Sequence, residues 1–247
     1  MSKKNLFLAG LSFFIVSLTF AQKDRIELLP TFDNNKLHFG FYLGVNKNSF
    51  KISYKKFNYD DVNKEPIVSL TAEPSYGFNI GLVADYKLLE NLNLRFEPGL
   101  MSNTKNLTYT NNGSVIFDGD PPDYTIAFRE VPGTYLRLPL LLKYSTERLD
   151  NMRAYVIGGV SYDYNFSSNQ NNTSDNFDRE FRMKRHNYMY EVGVGVDLYL
   201  YYFKFSPSIR GIFAINNEIV PDNIPSPYTG PIDYFGTSGI FINFTFE

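Results

Sequence analysis

Hydrophobic and polar residues alternate along several segments of the chain, most clearly from Tyr188 to Leu200. In that segment the even positions are apolar or aromatic, whereas the odd positions are mostly glycine, acidic or amphipathic. A period of two residues predicts an extended strand with one apolar and one polar face. Two fold classes contain such strands: a soluble sandwich buries the apolar face in a core, and an outer-membrane barrel exposes it to lipid.

The same alternation recurs at eight places, which predicts eight strands. In each strand one row of alternate residues is apolar, and the row between them is polar or small. The apolar rows run from Leu37 to Val45, Tyr76 to Tyr86, Leu92 to Leu100, Leu136 to Tyr144, Val156 to Tyr164, Tyr188 to Leu200, Phe203 to Phe213, and Ile240 to Phe246.

The lengths of the predicted connections separate the two fold classes. Short links near 88–91, 145–152 and Tyr201 alternate with long polar links at about 47–74, 108–127, 167–187 and 215–235. This order places every short turn at one end of the strands and every long loop at the other, as in an up-and-down membrane barrel. The sequence therefore predicts an all-β fold, an eight-stranded antiparallel up-and-down transmembrane β-barrel with short periplasmic turns and long extracellular loops.

The N-terminal residues predict export from the cytoplasm. Lys3 and Lys4 precede an apolar run, and a small-x-small pattern ends at Ala21, as in a cleaved signal peptide. We expect a signal peptide at 1–21, a short periplasmic lead at 22–36 and an outer-membrane barrel at 37–247. The expected location is the outer membrane of a Gram-negative cell, with outer-membrane lipid as a partner.

Composition agrees with this prediction and excludes some functions. The chain contains 19 Tyr and 23 Phe but no Cys or Trp. Abundant aromatic residues suit alternating strands and the interface girdles of membrane barrels. Removal of Lys3 and Lys4 with the signal leaves 22 basic and 26 acidic residues, a net charge of −4. This mildly acidic balance gives no reason to expect nucleic-acid binding.

Charged residues on the polar faces predict a filled interior. The interior of an eight-stranded barrel is only wide enough for side chains to fill it. We therefore expect these groups to pair across the lumen as a structural network. The same facing predicts that Val194→Arg harms assembly far more than Gly193→Ser. The predicted lumen network comprises Arg95, Glu97, Arg137, Lys143, Asp163, Glu191, Asp197 and Arg210.

The residues needed for catalysis or metal binding do not form a recognisable pattern. The two histidines, His38 and His186, fall at opposite ends of the predicted barrel, so no nucleophile–base pair is predicted. Asp118, Asp120 and Asp123 offer oxygen ligands for Ca²⁺, but their spacing differs from an EF-hand and a solvated turn is favoured. We predict no enzyme activity, cofactor, metal site or small-molecule substrate.

Several strings resemble the PorT (SprT-like) family of outer-membrane barrels. The resemblance extends over nearly the whole chain after the predicted signal, and the opening strand and the ending are its most particular parts. Its strings are Leu29–Asp33, Leu37–Asn46, Glu97–Gly99, Tyr135–Tyr144, Arg148 with Asn151, Arg153, Tyr155, Gly158 and Gly159, then Glu191, Gly193, Gly195, Asp197, Phe205–Pro207 and Phe244–Glu247.

The resemblance implies a component of the type IX protein secretion system, with a further role in gliding motility in species that glide. It implies other secretion-system proteins as partners and carries over no catalytic residues. A closed lumen excludes the role of conduit, so an accessory or assembly role is expected. The alternative is a general small barrel that supports envelope integrity or surface adhesion through its long loops.

Overall fold

The computed structural model of the chain describes residues 26–59, 65–111, 126–131, 133–171, 181–221 and 228–247. The predicted signal peptide, the start of the lead and the aspartates at 118, 120 and 123 lie outside the described residues. No helix in the described part of the chain is long and apolar enough to cross a membrane. Two short 3-10 helices, Phe32–Asn34 and Lys56–Asn58, accompany the strands. The described strands are β1 (Leu37–Tyr54), β2 (Val68–Ala72), β3 (Ser75–Lys87), β4 (Leu92–Phe96), β5 (Gly99–Ser102), β6 (Lys105–Asn111), β7 (Ile126–Val131), β8 (Thr134–Ser145), β9 (Met152–Asn165), β10 (His186–Tyr199), β11 (Lys204–Ala214) and β12 (Ile232–Phe246).

Nine of these strands close into an antiparallel ring with eight strand positions. The order around the ring is β1, β12, β11, β10, β9, β8, β4 with β5, and β3, which pairs again with β1. Strands β4 and β5 share one position, because both pair with β3 and β8 in a single continuous register. Their separation at Glu97 and Pro98 follows from Pro98, which has no N–H for the ladder. The predicted eight-stranded barrel is confirmed.

The alternation predicted from sequence separates an exposed apolar surface from a buried polar interior. Outward residues such as Phe39 and Leu82 are 69% and 65% exposed, whereas inward Asp85 and Arg95 are fully buried. An apolar exterior is stable only where lipid covers it, because water would leave that surface solvated at a large cost. The burial pattern is therefore that of a membrane barrel and the reverse of a soluble sandwich.

The loop end of the barrel carries a folded region that the alternation did not predict. Strands β2, β6 and β7 form a separate three-stranded sheet, and β1 and β12 extend beyond the barrel to join its core. We call this region the loop-side cap. The rings of Phe50 in β1 and Phe235 in β12 pack with centroids 4.1 Å apart. The buried cap core consists of Phe50, Val68, Leu70, Leu107, Tyr109, Val131, Phe181, Met183, Ile219, Tyr228, Ile232 and Phe235.

Candidate functional site

The barrel interior holds all eight residues of the predicted lumen network. Each is at least 95% buried, although none is apolar. Burial of a charge is costly unless the charge is paired and hydrogen-bonded. The ion pairs among these residues therefore determine how the lumen is filled. They form one connected group and one separate pair.

The connected group is centred on Arg95 and Glu97. Arg95 Nη1 lies 3.5 Å from Glu97 Oε1, and its Nη2 lies 2.6 Å from Asp85 Oδ2. Arg210 reaches across from the other side of the barrel, and its Nη2 donates to Glu97 Oε1 at 2.9 Å. The carboxylate of Glu97 is thus shared by two guanidinium groups, and charge-assisted hydrogen bonds of this kind are stronger than neutral ones.

The group continues through Glu191 and Arg137. Arg210 Nη1 lies 3.9 Å from Glu191 Oε2, and Arg137 Nη2 donates to Glu191 Oε1 at 2.5 Å. Arg137 Nε donates to Asp163 Oδ2 at 2.9 Å. The guanidinium of Arg137 also lies 4.7 Å from the ring centre of Phe241. Charges and rings together occupy the middle of the lumen.

Lys143 and Asp197 form the separate pair, nearer the short turns. Lys143 Nζ donates to Asp197 Oδ2 at 2.7 Å, and Ser206 Oγ donates to Oδ1 at 2.6 Å. Lys143 Nζ also lies 4.1 Å from the ring centre of Tyr155. The structure therefore brings all eight predicted residues into ion pairs, in two groups.

Glu247 is a lumen residue that the sequence analysis did not identify. Its carboxylate lies 2.9 Å from Arg95 Nη2 and 2.7 Å from Lys204 Nζ. The period-two pattern indicates this facing, because position 247 continues the inward row of Asn243 and Thr245 in β12. Glu247 lies one residue beyond the end of β12, so the alternation within the strand does not by itself include it.

Two interior tyrosines, Tyr42 and Tyr155, pack against inward glycines. A Cβ on Gly99 would lie 2.2 Å from the hydroxyl of Tyr42, and a Cβ on Gly81 would meet the same ring at 2.6 Å. A Cβ on Gly195 would lie 2.4 Å from the Tyr155 ring. Glycine is required at these inward positions because any larger residue would occupy the space of a buried ring. The lumen is packed with side chains and is not an open channel.

The predicted lead closes the short-turn end of the barrel. Asp33 accepts hydrogen bonds from the hydroxyl of Tyr199 at 2.8 and 3.0 Å, and its carboxylate lies 3.6 Å from Arg153. Asn151, in the turn between β8 and β9, accepts from Leu28 N at 2.8 Å. The Arg148 guanidinium donates to the carbonyl oxygen of Leu28. We call Phe32, Asp33, Arg148, Asn151 and Tyr199 the mouth clasp.

Aromatic and cation–π contacts reinforce the mouth clasp. The Phe32 ring stacks on His38 with centroids 4.1 Å apart, and Lys204 Nζ lies 4.7 Å from the Phe32 ring centre. The Arg148 guanidinium lies 3.7 Å from the Tyr199 ring centre. Leu29 has a φ of 51°, a left-handed conformation that a β-carbon disfavours. The lead is thus held in one specific conformation, whereas its polar sequence suggested only a short connection.

The loop-side cap contains a buried acid and a buried base. Glu218 Oε2 accepts hydrogen bonds from Thr237 N at 3.0 Å and Thr237 Oγ1 at 2.7 Å. Lys105 Nζ lies 4.2 Å from the ring centre of Phe50. Burial raises the pKa of Glu218 while Lys105 opposes that rise, and burial lowers the pKa of Lys105 while Glu218 opposes that fall. Both groups lie in the cap, outside the membrane-spanning part of the strands.

The raised pKa of Glu218 predicts that the cap loses stability as pH rises from about 5 to about 8. A raised folded-state pKa contributes stability that is full below the ordinary glutamate value and is lost as pH rises through the raised value. The lowered pKa of Lys105, about 8, changes stability only above that value, where it restores stability as pH rises further. Between about pH 5 and pH 8 we expect protection factors in β6 to fall by at least about tenfold.

Hydrogen exchange of the purified protein in detergent tests this expectation. Glu218→Gln keeps an oxygen acceptor for Thr237 but cannot ionise, so the fall in protection should shrink to a small part of the wild-type value. Glu73→Gln, at the exposed end of β2, is the matched control and should retain the full fall. An unchanged fall in the Glu218 variant would contradict the assignment.

The closed ring, the apolar exterior and the ion-paired lumen define the class of this protein: it is an outer-membrane β-barrel. The model of the family described as "Outer membrane protein beta-barrel domain" matches residues 20–220. The chain belongs to that family. No curated protein sequence matches the chain.

Three solved structures to which the chain is similar are those of OprG, Neisserial surface protein A and OmpT. OprG from Pseudomonas aeruginosa is 15% identical, with 85% of this chain and 93% of OprG covered and a TM-score of 0.41. Neisserial surface protein A is 8% identical, with 85% of this chain and 98% of that protein covered and a TM-score of 0.42. The outer membrane protease OmpT from Escherichia coli is 11% identical, with 90% and 97% covered and a TM-score of 0.37.

Proposed function

We propose that this protein is an accessory subunit of the type IX protein secretion machinery, of the PorT-like kind, and is not itself the conduit. The mouth clasp carries the proposal. Two separate strings of the PorT resemblance meet in this one structure, because Arg148 and Arg153 of one string contact the Leu29–Asp33 string. These residues are far apart in sequence but together close the periplasmic end of the barrel. Their meeting there supports a role for that end in the function.

The filled lumen supports an accessory role over a transport role. An exported protein would have to displace the ion pairs of Arg95, Glu97 and Arg210, and each unpaired charge would remain buried at a large cost. We therefore expect the protein to act by contacts with other secretion-system proteins at its periplasmic end. In species that glide, the same contacts would serve motility.

We propose no enzymatic activity. The Nε2 atom of His38 lies 3.1 Å from the Asn35 carbonyl oxygen at the periplasmic end. His186, at the loop end, has its Nδ1 2.6 Å from the hydroxyl of Tyr162. Each histidine thus has a local structural partner, and the length of the barrel separates them. Neither is positioned to act as a general base on a shared substrate.

The test is complementation of a deletion strain, with the secreted-protein inventory as the readout. Asp33→Ala removes the acceptor for Tyr199 and the charge facing Arg153, so the lead should be released and cargo secretion should fall by about tenfold or more. Asn34→Ala, at the exposed neighbouring position, is the matched control and should restore normal secretion. Limited proteolysis of the lead and heat-modifiability of the barrel confirm release without unfolding.

An unchanged inventory in the deletion strain itself would overturn the secretion proposal. If the deletion strain loses secretion and Asp33→Ala restores it fully, the protein acts in secretion but the mouth clasp is not needed for that role. These two outcomes are separated by the same set of cultures.

The loop-side cap favours a second function, surface adhesion or envelope support by a general small barrel. A cap with its own buried core presents a rigid outer surface, on which Phe57 is 67% exposed. The adhesion alternative takes this outer surface of the cap as its binding surface. Under this alternative, Phe57→Ser would reduce adhesion while cargo secretion stays normal.

A further inference from the structure

The outward face of β1 changes from apolar to basic at one position. From Leu37 to Val45, every second residue is apolar and exposed to lipid. The next outward positions are Lys47, Ser49, Lys51 and Ser53, and Lys55 follows directly after the strand. All three lysines are exposed. We call Lys47, Lys51 and Lys55 the lysine ladder.

The ammonium groups of the lysine ladder are not paired with a described carboxylate. None of its members makes an ion pair with a residue that the structure describes. Lys47 Nζ lies 5.2 Å from the ring centre of Tyr76, which is 76% exposed on the neighbouring strand β3. On the other neighbour, β12, the residues opposite Lys47 and Lys51 are Ile240 and Gly236, which carry no charge. Lys55 Nζ lies 6.0 Å from the ring centre of Phe57. These cations therefore contact aromatic rings, and no described carboxylate pairs with them.

The position of the ladder indicates its ligand. It begins where the apolar row ends on the loop side, which is the level of the outer-leaflet head groups. Residues two apart on a strand are separated by about 6.6–6.8 Å, so the ladder extends about 27 Å from Lys47 to Lys55 along β1. Lipids of the bacterial outer leaflet bear phosphate groups at and above this level. Basic clusters next to a membrane attract anionic lipid head groups.

We propose that the lysine ladder, with Tyr76 beside it, is a binding site for the phosphate groups of an anionic outer-leaflet glycolipid. Lys47 sits at the membrane boundary and contacts the innermost phosphate, and Tyr76 anchors the same level as an interfacial aromatic residue. Lys51 and Lys55 extend the site outward along β1. The bound glycolipid orients the barrel and links the loop-side cap to the outer leaflet.

An alternative interpretation is that these lysines protect an exposed strand edge from unwanted pairing. Beyond Asn48, β1 pairs with β12 but no longer with β3, and exposed lysines discourage unwanted pairing at such an edge. That reading predicts aggregation when the charges are removed and no effect on lipid binding. The two readings therefore differ in a measurable outcome.

The experiment compares lipid binding by the full chain and by Lys47→Gln/Lys51→Gln/Lys55→Gln in detergent, by native mass spectrometry and titration. The probes are diphosphoryl lipid A, its dephosphorylated form and inorganic phosphate. We expect the triple variant to bind diphosphoryl lipid A at least about tenfold more weakly than wild type. Lys56→Gln, exposed beside the ladder, is the matched control and should bind as wild type does.

Three results would overturn the proposal. Equal binding of the phosphorylated and dephosphorylated lipids would show that the site does not recognise phosphate. Saturation of wild type by inorganic phosphate with the affinity of the lipid would assign the site to a soluble anion. Unchanged lipid binding in a triple variant that aggregates would assign the lysines to edge protection. Circular dichroism and heat-modifiability verify that the variant is folded.

Discussion

Glu97→Leu is expected to lower the free energy of unfolding by about 3–5 kcal/mol, since removal of one partner leaves buried charges uncompensated. Glu97 pairs with Arg95 and accepts two hydrogen bonds from Arg210, and all three side chains are buried. Urea unfolding of the refolded protein in lipid vesicles measures the effect. Heat-modifiability on gels gives an independent readout of the folded fraction.

Two further variants show whether the loss comes from unpaired charge. Glu97→Leu/Arg210→Met removes both charges of the closest pair and should recover part of the lost stability, because an apolar pair needs no compensation. Glu90→Leu, at an exposed position in a short turn, should leave stability within about 0.5 kcal/mol of wild type. A double variant that is less stable than the single one would contradict the pairing assignment.

Val194→Arg is expected to destabilise the barrel by about 2–4 kcal/mol, the cost of an arginine at the lipid midplane. Val194 is 58% exposed and lies in the middle of the outward row from Tyr188 to Leu200. Val156 and Ile209 lie opposite Val194 on the two neighbouring strands, so an arginine at 194 would meet apolar side chains and lipid. Reduced yield of heat-modifiable, membrane-embedded protein measures the effect.

The period-two pattern predicts which way a residue faces, but it does not predict whether a larger side chain fits at that position. Gly193 was expected to tolerate serine, but a Cβ there would lie 2.4 Å from the carbonyl oxygen of Ile209 and 2.8 Å from Arg210 Cγ. Gly158 is the suitable control, because its Cβ would approach only the Glu191 carbonyl oxygen, at 3.3 Å. Gly158→Ala should assemble normally, and equal yields of Val194→Arg and Gly158→Ala would contradict the outward facing of Val194.

Sequence alternation determined most of the barrel because facing is a local property of a strand. Each strand residue points opposite to its neighbours, so a strict row such as Tyr188 to Leu200 determines its own facing without knowledge of any partner. The short and long links then determine the order of neighbours. The inward placement of Arg137 and Asp197 follows from the same local rule.

The pairing partners of those charges depend on the register between strands. Arg210 pairs with Glu97 from a strand across the lumen, and Arg137 bridges Asp163 and Glu191. Sequence spacing contains no information on which inward residues reach the same height in a closed ring. The packing of Tyr42 against Gly99 also depends on register, since this contact joins strands that are not neighbours in sequence.

The sequence by itself determined the eight-stranded barrel, its outward apolar face and its charged interior, because a period of two is visible in single strands. Only the tertiary structure decided that the lead folds back into the mouth clasp and that the long links build the loop-side cap. Both depend on contacts such as Asp33 with Tyr199 and Phe50 with Phe235, which join distant residues in irregular or short segments. Such segments lack a periodic pattern, so their structure is set by the partners they meet and not by their own sequence.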